Sequence, residues 1–133
     1  MNGYLLDTSI CVSILRNEKK VLEKVRTVEQ NKLFISDVTV AELKVGAYKS
    51  NRTEENLKLV DWFAENLNII DFQSVIDEFA KEKIRLFHLG MPIEDFDLLI
   101  ATASTSKKLV LVTDNEKHMA RVNGIVMENW RRS

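Results

Sequence analysis

The strongest constraint on the fold is an alternation: short, unbroken apolar runs recur along the chain, each followed by a segment with helical spacing. The clearest run, Lys108-Leu109-Val110-Leu111-Val112-Thr113, lacks the in–out alternation of a strand with one wet face. Tyr4-Leu5-Leu6, Lys32 to Ser36, Leu67 to Ile70 and Gly124 to Met127 complete a set of five expected strands. The first helix starts at Thr8 or Ser9, either of which can cap it, and runs through Leu15. A second, from about Glu18 to Gln30, carries Val21, Leu22, Val25 and Val28 at 3–4 spacing. Further helices are expected from Asp37 or Thr39 to about Tyr48, from Thr53 to about Asn66, from about Gln73 to Leu89, and from Ile93 to about Ser106. Gly90 closes the helix that ends at Leu89, and Pro92 prevents its continuation. Strands alternating with helices specify an α/β fold, with a mainly parallel central sheet covered by helices on both faces through right-handed crossovers.

The chain has 133 residues, 45% of them hydrophobic, which suits one domain spanning 1–133 around one sheet. Four Gly, one Pro and 29% charged residues exclude a disordered or loop-rich chain. The lone Cys11 rules out an internal disulfide and a multi-cysteine zinc site, and reads as a small core residue of the first helix. No stretch resembles a signal peptide or reaches the roughly 18–20 apolar residues that span a bilayer, so a cytoplasmic protein with no membrane role is expected. The net charge of −1 neither requires nor forbids a nucleic-acid partner, because acids that bind divalent cations reverse the local field.

In open α/β sheets, ligands gather at the carboxyl ends of the strands. Asp7 and Asp114 stand at two such ends, where each is either a helix cap or a ligand. Glu42 lies in Val38-Thr39-Val40-Ala41-Glu42-Leu43-Lys44-Val45-Gly46, a helix apolar nearly all round and therefore expected to be buried. A carboxylate there requires an ion pair with a Lys or Arg, a hydrogen-bond network or a metal. Gly46, one turn on, leaves room for another backbone or a substrate. Asp97, within Phe96-Asp97-Leu98-Leu99-Ile100-Ala101, repeats the pattern, whereas Glu94 and Asp95 complement the start of that helix. One explanation covers all four isolated acids: they share a hard divalent cation such as Mg²⁺, which prefers carboxylate oxygens and keeps waters that can act as nucleophiles.

Several rivals fail on spacing. A haloacid-dehalogenase-type phosphatase needs a second Asp where Ser9 stands; there is no Gly-Lys-Ser/Thr phosphate loop and no Gly-x-Ser-x-Gly elbow. His88 complements a helix end, and His118, one turn after Asp114, belongs to the surface or to the rim of the acidic site.

Tyr4 to Ser9, Val40 to Gly46, Pro92 to Ala101, Leu111 to Asn115 and Gly124 to Trp130, in that order, resemble the PIN-domain ribonucleases, and among them the VapC-type toxins of toxin–antitoxin pairs. The resemblance covers nearly the whole chain. It implies a PIN-like three-layer α/β/α sandwich, Mg²⁺ or Mn²⁺ dependence, endonucleolytic cleavage of RNA such as tRNA or rRNA, a VapB-like antitoxin and a homodimer. It assigns Asp7, Glu42 and Asp97 as catalytic metal ligands, and Ser9, Thr113 and Asn115 as supporting polar residues whose alternative is turn and cap duty. Asp114 is the expected fourth acid, although relatives carry Asn there and His118 stands where some carry a later acid. Asp95 also departs from the pattern and adds charge at the pocket mouth. Arg16, Lys19, Lys20, Lys44, Lys49 and Arg52 are candidates for the RNA backbone or simply a solvated face. Two other classes remain: a different metal-dependent phosphoesterase or nuclease, and a non-catalytic RNA-binding PIN relative.

Overall fold

The computed structural model describes residues 3–132. Five short strands, β1 (Tyr4–Leu6), β2 (Leu33–Ser36), β3 (Asn68–Ile70), β4 (Val110–Val112) and β5 (Met127–Glu128), form one sheet in the order β3-β2-β1-β4-β5. Every neighbouring pair is parallel, with Leu5 beside Phe34 on one side and Leu111 on the other. The helices are α1 (Thr8–Leu15), α2 (Lys19–Val25), α3 (Asp37–Lys49), α4 (Thr53–Glu65), α5 (Ile76–His88), α6 (Asp95–Ser106) and α7 (Glu116–Met119).

Strand geometry sends successive side chains to opposite faces, and the core divides accordingly. Leu5 and Leu111 pack with Val75, Leu86, Leu98 and Ile100 under α5 and α6. Leu6 and Val112 pack with Ile10, Val21, Leu43 and Phe63 under α1, α2, α3 and α4. Both faces of the central strands are dry, which is why their sequences are continuously apolar. Cys11 is fully buried in the second cluster, as a core residue. Gly3 precedes β1 where a Cβ would stand 2.7 Å from the Phe34 ring and 2.9 Å from the Lys32 carbonyl, so only glycine fits without a shift.

Several boundaries differ from the sequence reading. The second helix stops at Val25, and residues 30–32 form a separate 3-10 turn, Gln30–Lys32, leading into β2. Residues 72–75 are likewise a 3-10 turn before α5, whose cap is Leu89, followed by Gly90 at φ +67°. The last strand is displaced to Met127–Glu128, because Gly124 at φ +78° belongs to the turn before it. The four-residue helix α7 was not anticipated.

The larger correction concerns α3. It is amphipathic: Val38, Thr39, Leu43 and Ala47 are buried, while Ala41, Lys44, Val45, Gly46, Tyr48 and Lys49 face outward. Small apolar residues are common on surfaces, so an apolar run does not by itself imply burial all round. Nothing lies within 4 Å of where a Cβ on Gly46 would sit, so no backbone approaches there.

Candidate active site

The sheet order reverses between β1 and β4: the chain leaves β1 toward β2 on one side and leaves β4 toward β5 on the other. A crevice must open above the carboxyl ends of the strands at such a point. Asp7 follows β1 and its N–H donates to the Val112 carbonyl at 2.9 Å, which locks it beside the end of β4. It is itself the cap of α1, accepting from the Thr8 N–H at 2.8 Å. The cap is therefore neither Thr8 nor Ser9. The other oxygen of Asp7, Oδ2, accepts from the buried Thr113 hydroxyl at 2.7 Å. Asp7 is only 5% exposed, and burial lifts its carboxyl above the ordinary range. Thr113 and the Thr8 N–H pull it back, while the charges of Glu42 and Asp114 push it further up.

Relieved of capping, Thr8 turns its hydroxyl to Glu42, donating to Oε1 at 2.6 Å. Thr39 lies one turn before Glu42 on α3, and its hydroxyl stands 3.0 Å from that of Thr8. With the Thr8 proton directed to Glu42, Thr39 is the donor in that second contact. Glu42 is half-buried and, among the described residues, has no ion-pair partner; the Thr8 hydroxyl holds it instead of a Lys or Arg.

Asp97 occupies the first turn of α6, a helix that begins at Asp95 rather than Ile93 and is capped by Glu94 through the Asp97 N–H at 3.2 Å. Asp97 is half-buried, and its carboxyl is pushed up to about 6, first by burial and then by the charges of Asp7, Glu94 and Glu42. The amide of Asn115 reaches its Oδ2 at 3.4 Å, and His118 Nδ1 in turn contacts the Asn115 carbonyl oxygen at 2.8 Å. His118 thus supports Asn115 at the rim. Asp95 pairs with Lys83 at 2.6 Å.

Asp114 is exposed and has both oxygens engaged. Oδ1 accepts from Ser9 at 2.8 Å and Oδ2 takes the Arg131 guanidinium at 2.6 Å. Among the proposed backbone-binding residues, Lys44 pairs with Asp61 and Arg52 with Glu55, whereas Arg16 lines a cleft of about 270 Å³ beside Glu42.

The structure therefore brings Asp7, Glu42 and Asp97 within electrostatic reach of one another, with Asp114 at the edge. Among the described residues no three carboxylate, imidazole or thiol groups are already closed on a single point. Separate hydroxyl and amide donors hold the mutually repelling acids apart. The oxygen-only donor set suits a hard divalent cation. Among the described residues, Glu42 Oε2 and Asp97 Oδ1 accept no protein hydrogen bond, which leaves them available to one. The raised carboxyls of Asp7 and Asp97 point the same way, since a cation would relieve the excess negative charge. Sequence reasoning missed Thr8, Thr39 and Arg131 as parts of this site. Thr39 had a signal, three residues before Glu42 on one helix face; Arg131 had none.

Comparison with known proteins extends over the same residues. The family described as PIN domain matches residues 4–125. The tRNA(fMet)-specific endonuclease VapC of Shigella flexneri is 31% identical over 131 residues, covering 98% of this chain and 99% of that protein. Ribonuclease VapC2 of Haemophilus influenzae (strain ATCC 51907 / DSM 11121 / KW20 / Rd) is 35% identical over 133 residues, with the same shares. Among solved structures, the DNA-bound VapBC of Salmonella typhimurium superposes with a TM-score of 0.90 at 30% identity, covering 98% of this chain and 99% of that one. VapBC2 of Rickettsia felis, bound to a promoter DNA fragment, gives 0.87 at 32% identity, covering 96% and 98%.

Proposed function

Because this chain belongs to the PIN-domain family, and within it to the VapC ribonucleases, we infer that it is an RNA-cleaving toxin paired with a cognate antitoxin. The observation that carries this reading is the gathering of Asp7, Glu42 and Asp97 at the switch point of the sheet, near enough for the charges of Asp7 and Glu42 to raise the carboxyl of Asp97. In our proposal these three are the metal ligands and Asp114 completes the ring from its edge. The native ion is Mg²⁺ or Mn²⁺. A bound divalent ion supplies a water of lowered pKa and neutralises charge developing on the phosphodiester.

The chain's own residues set the frame for that chemistry. Thr113 and the Thr8 N–H fix both oxygens of Asp7, and the Thr8 hydroxyl fixes one oxygen of Glu42. Asn115, supported by His118, orients Asp97. Ser9 ties the start of α1 to Asp114.

The substrate we propose is a structured RNA, tRNA or rRNA, cut in the cytoplasm; relatives named for tRNA(fMet) support the first of these. A homodimer also belongs to the reading, supported by the exposed Phe72, Ile76, Ile84 and Phe87 on and just before α5. No helix among the described residues is long and apolar enough to cross a membrane.

The decisive experiment incubates the protein with tRNA and rRNA in Mg²⁺, in EDTA, and as the Asp7→Asn variant. Cleavage confined to the wild type with Mg²⁺ or Mn²⁺ is expected. Cleavage that survives EDTA or Asp7→Asn would sink the mechanism, and hydrolysis of nucleotides with indifference to RNA would replace the substrate class.

A further inference from the structure

Among the described residues, one ion pair ends on the acidic ring: Arg131 Nη1 to Asp114 Oδ2 at 2.6 Å. Its Nε also faces Glu18 Oε1, at 3.5 Å, so two carboxylates from different parts of the chain grip one guanidinium. The backbone beneath it is equally fixed. Trp130 is buried in the core against the Tyr4 ring, 5.3 Å between centroids, and its indole N–H donates to Glu128. The Arg131 N–H donates to Asn129 Oδ1 at 3.0 Å, and Arg132 pairs with Glu116 at 2.8 Å. An arginine anchored this way is not a swinging surface charge.

A guanidinium carries five N–H donors in a rigid fork, and the two carboxylates use the Nε and Nη1 sides. Nη2 donates to no acceptor among the described residues, and the side chain is 43% exposed beside the ring. A phosphodiester approaching four carboxylates meets repulsion, and a fixed cation at the edge offsets it where the strand must lie. The planar fork suits phosphate oxygens better than a lysine would.

We propose that Arg131 is a phosphate-binding residue of this site, a guanidinium clamped at the rim of the acidic ring by Asp114 and Glu18 with its remaining N–H edge offered to the RNA backbone. This rests on the RNA-cleaving reading above. It also gives Asp114 a second duty, that of holding Arg131 in place.

The test compares wild type, Arg131→Gln and Arg131→Lys in two assays. Binding of a tRNA is followed by fluorescence anisotropy in EDTA across a salt series, and cleavage of the same tRNA is followed in Mg²⁺. Arg131→Gln should weaken binding about fivefold to tenfold and reduce the salt slope by about one contact. It should raise KM more than it lowers kcat, and Arg131→Lys should keep the salt slope while recovering part of the affinity. A purely structural role for Arg131 would lower the melting temperature and leave the salt slope alone. An unchanged salt slope and KM in Arg131→Gln, with wild type cleaving normally, overturns the assignment and leaves the functional reading intact. Wild type that binds RNA with the Arg131 dependence but cleaves none in Mg²⁺ or Mn²⁺ overturns the functional reading instead. Absence of RNA binding and cleavage in the wild type overturns both.

Discussion

The hydroxyl of Thr113, at the end of β4, donates to Oδ2 of Asp7, at the end of β1, over 2.7 Å and across 106 positions of sequence. The parallel pairing of Leu6 with Val112 places the two side by side, so the register of the sheet sets the orientation of the most buried acid. Thr8 and Glu42 repeat the device from α1 to α3.

Partners that orient a ligand are costly to remove. Thr113→Val and Thr8→Val are each expected to lower apparent Mg²⁺ affinity by about 10- to 100-fold in titrations of cleavage rate. Thr8→Ser, which keeps the hydroxyl, should retain most of it. Equal loss in Thr8→Val and Thr8→Ser would mean that the methyl rather than the hydroxyl matters.

Asp97 is held at a cost. A carboxyl raised from an ordinary 3.8 to about 6 in the folded chain destabilises the fold above that range and contributes nothing below it. In metal-free buffer at pH 7.5, Asp97→Asn is therefore expected to melt about 3–5 °C above wild type, equivalent to about 1 kcal/mol after solvent screening. The difference should vanish by pH 4. Added Mg²⁺ should raise the melting temperature of wild type and not that of the variant.

The same shift predicts the pH profile. Protons compete with a cation for Asp97, so the Mg²⁺ concentration giving half-maximal cleavage should climb as pH falls through about 6. The raised carboxyl of Asp7 acts in the same direction. A half-saturating concentration that stays constant from pH 7.5 to 5 would contradict this.

Away from the site, Gly3→Ala should destabilise by about 1–3 kcal/mol in urea unfolding, because the added methyl meets backbone as well as a ring. Gly46→Ala, where nothing lies within 4 Å, should be neutral or stabilising by up to about 1 kcal/mol from helix propensity.

What was legible in the chain follows from which forces act locally. The apolar runs of β1, β2 and β4 and the acids ending two of them were readable, because burial on both faces leaves no alternative pattern. The fate of α3 was not, since Ala41 and Val45 are apolar yet lie outward, and only packing against α4 decides which face is inner. A four-residue helix carries too little periodicity to be read, and the two-residue last strand was legible only in its approximate place. Thr113, Asn115 and Ser9 stood among the residues that the family resemblance offered as support for the acids, whereas the partner of Glu42 was hidden for another reason. Thr8 looked like a cap because a hydroxyl before a helix usually is one, and Asp7 took that role one residue earlier.

The sheet order carries a consequence for timing. Asp7 is made early, yet the strand that aligns it, the hydroxyl that holds it and the arginine beside its neighbour come from residues 110–131. A chain emerging from the ribosome thus exposes Asp7 well before the residue that holds it. Competence to cut RNA arrives only after the sheet closes on β4, when Thr113 takes hold of Asp7 and Asn115 reaches Asp97.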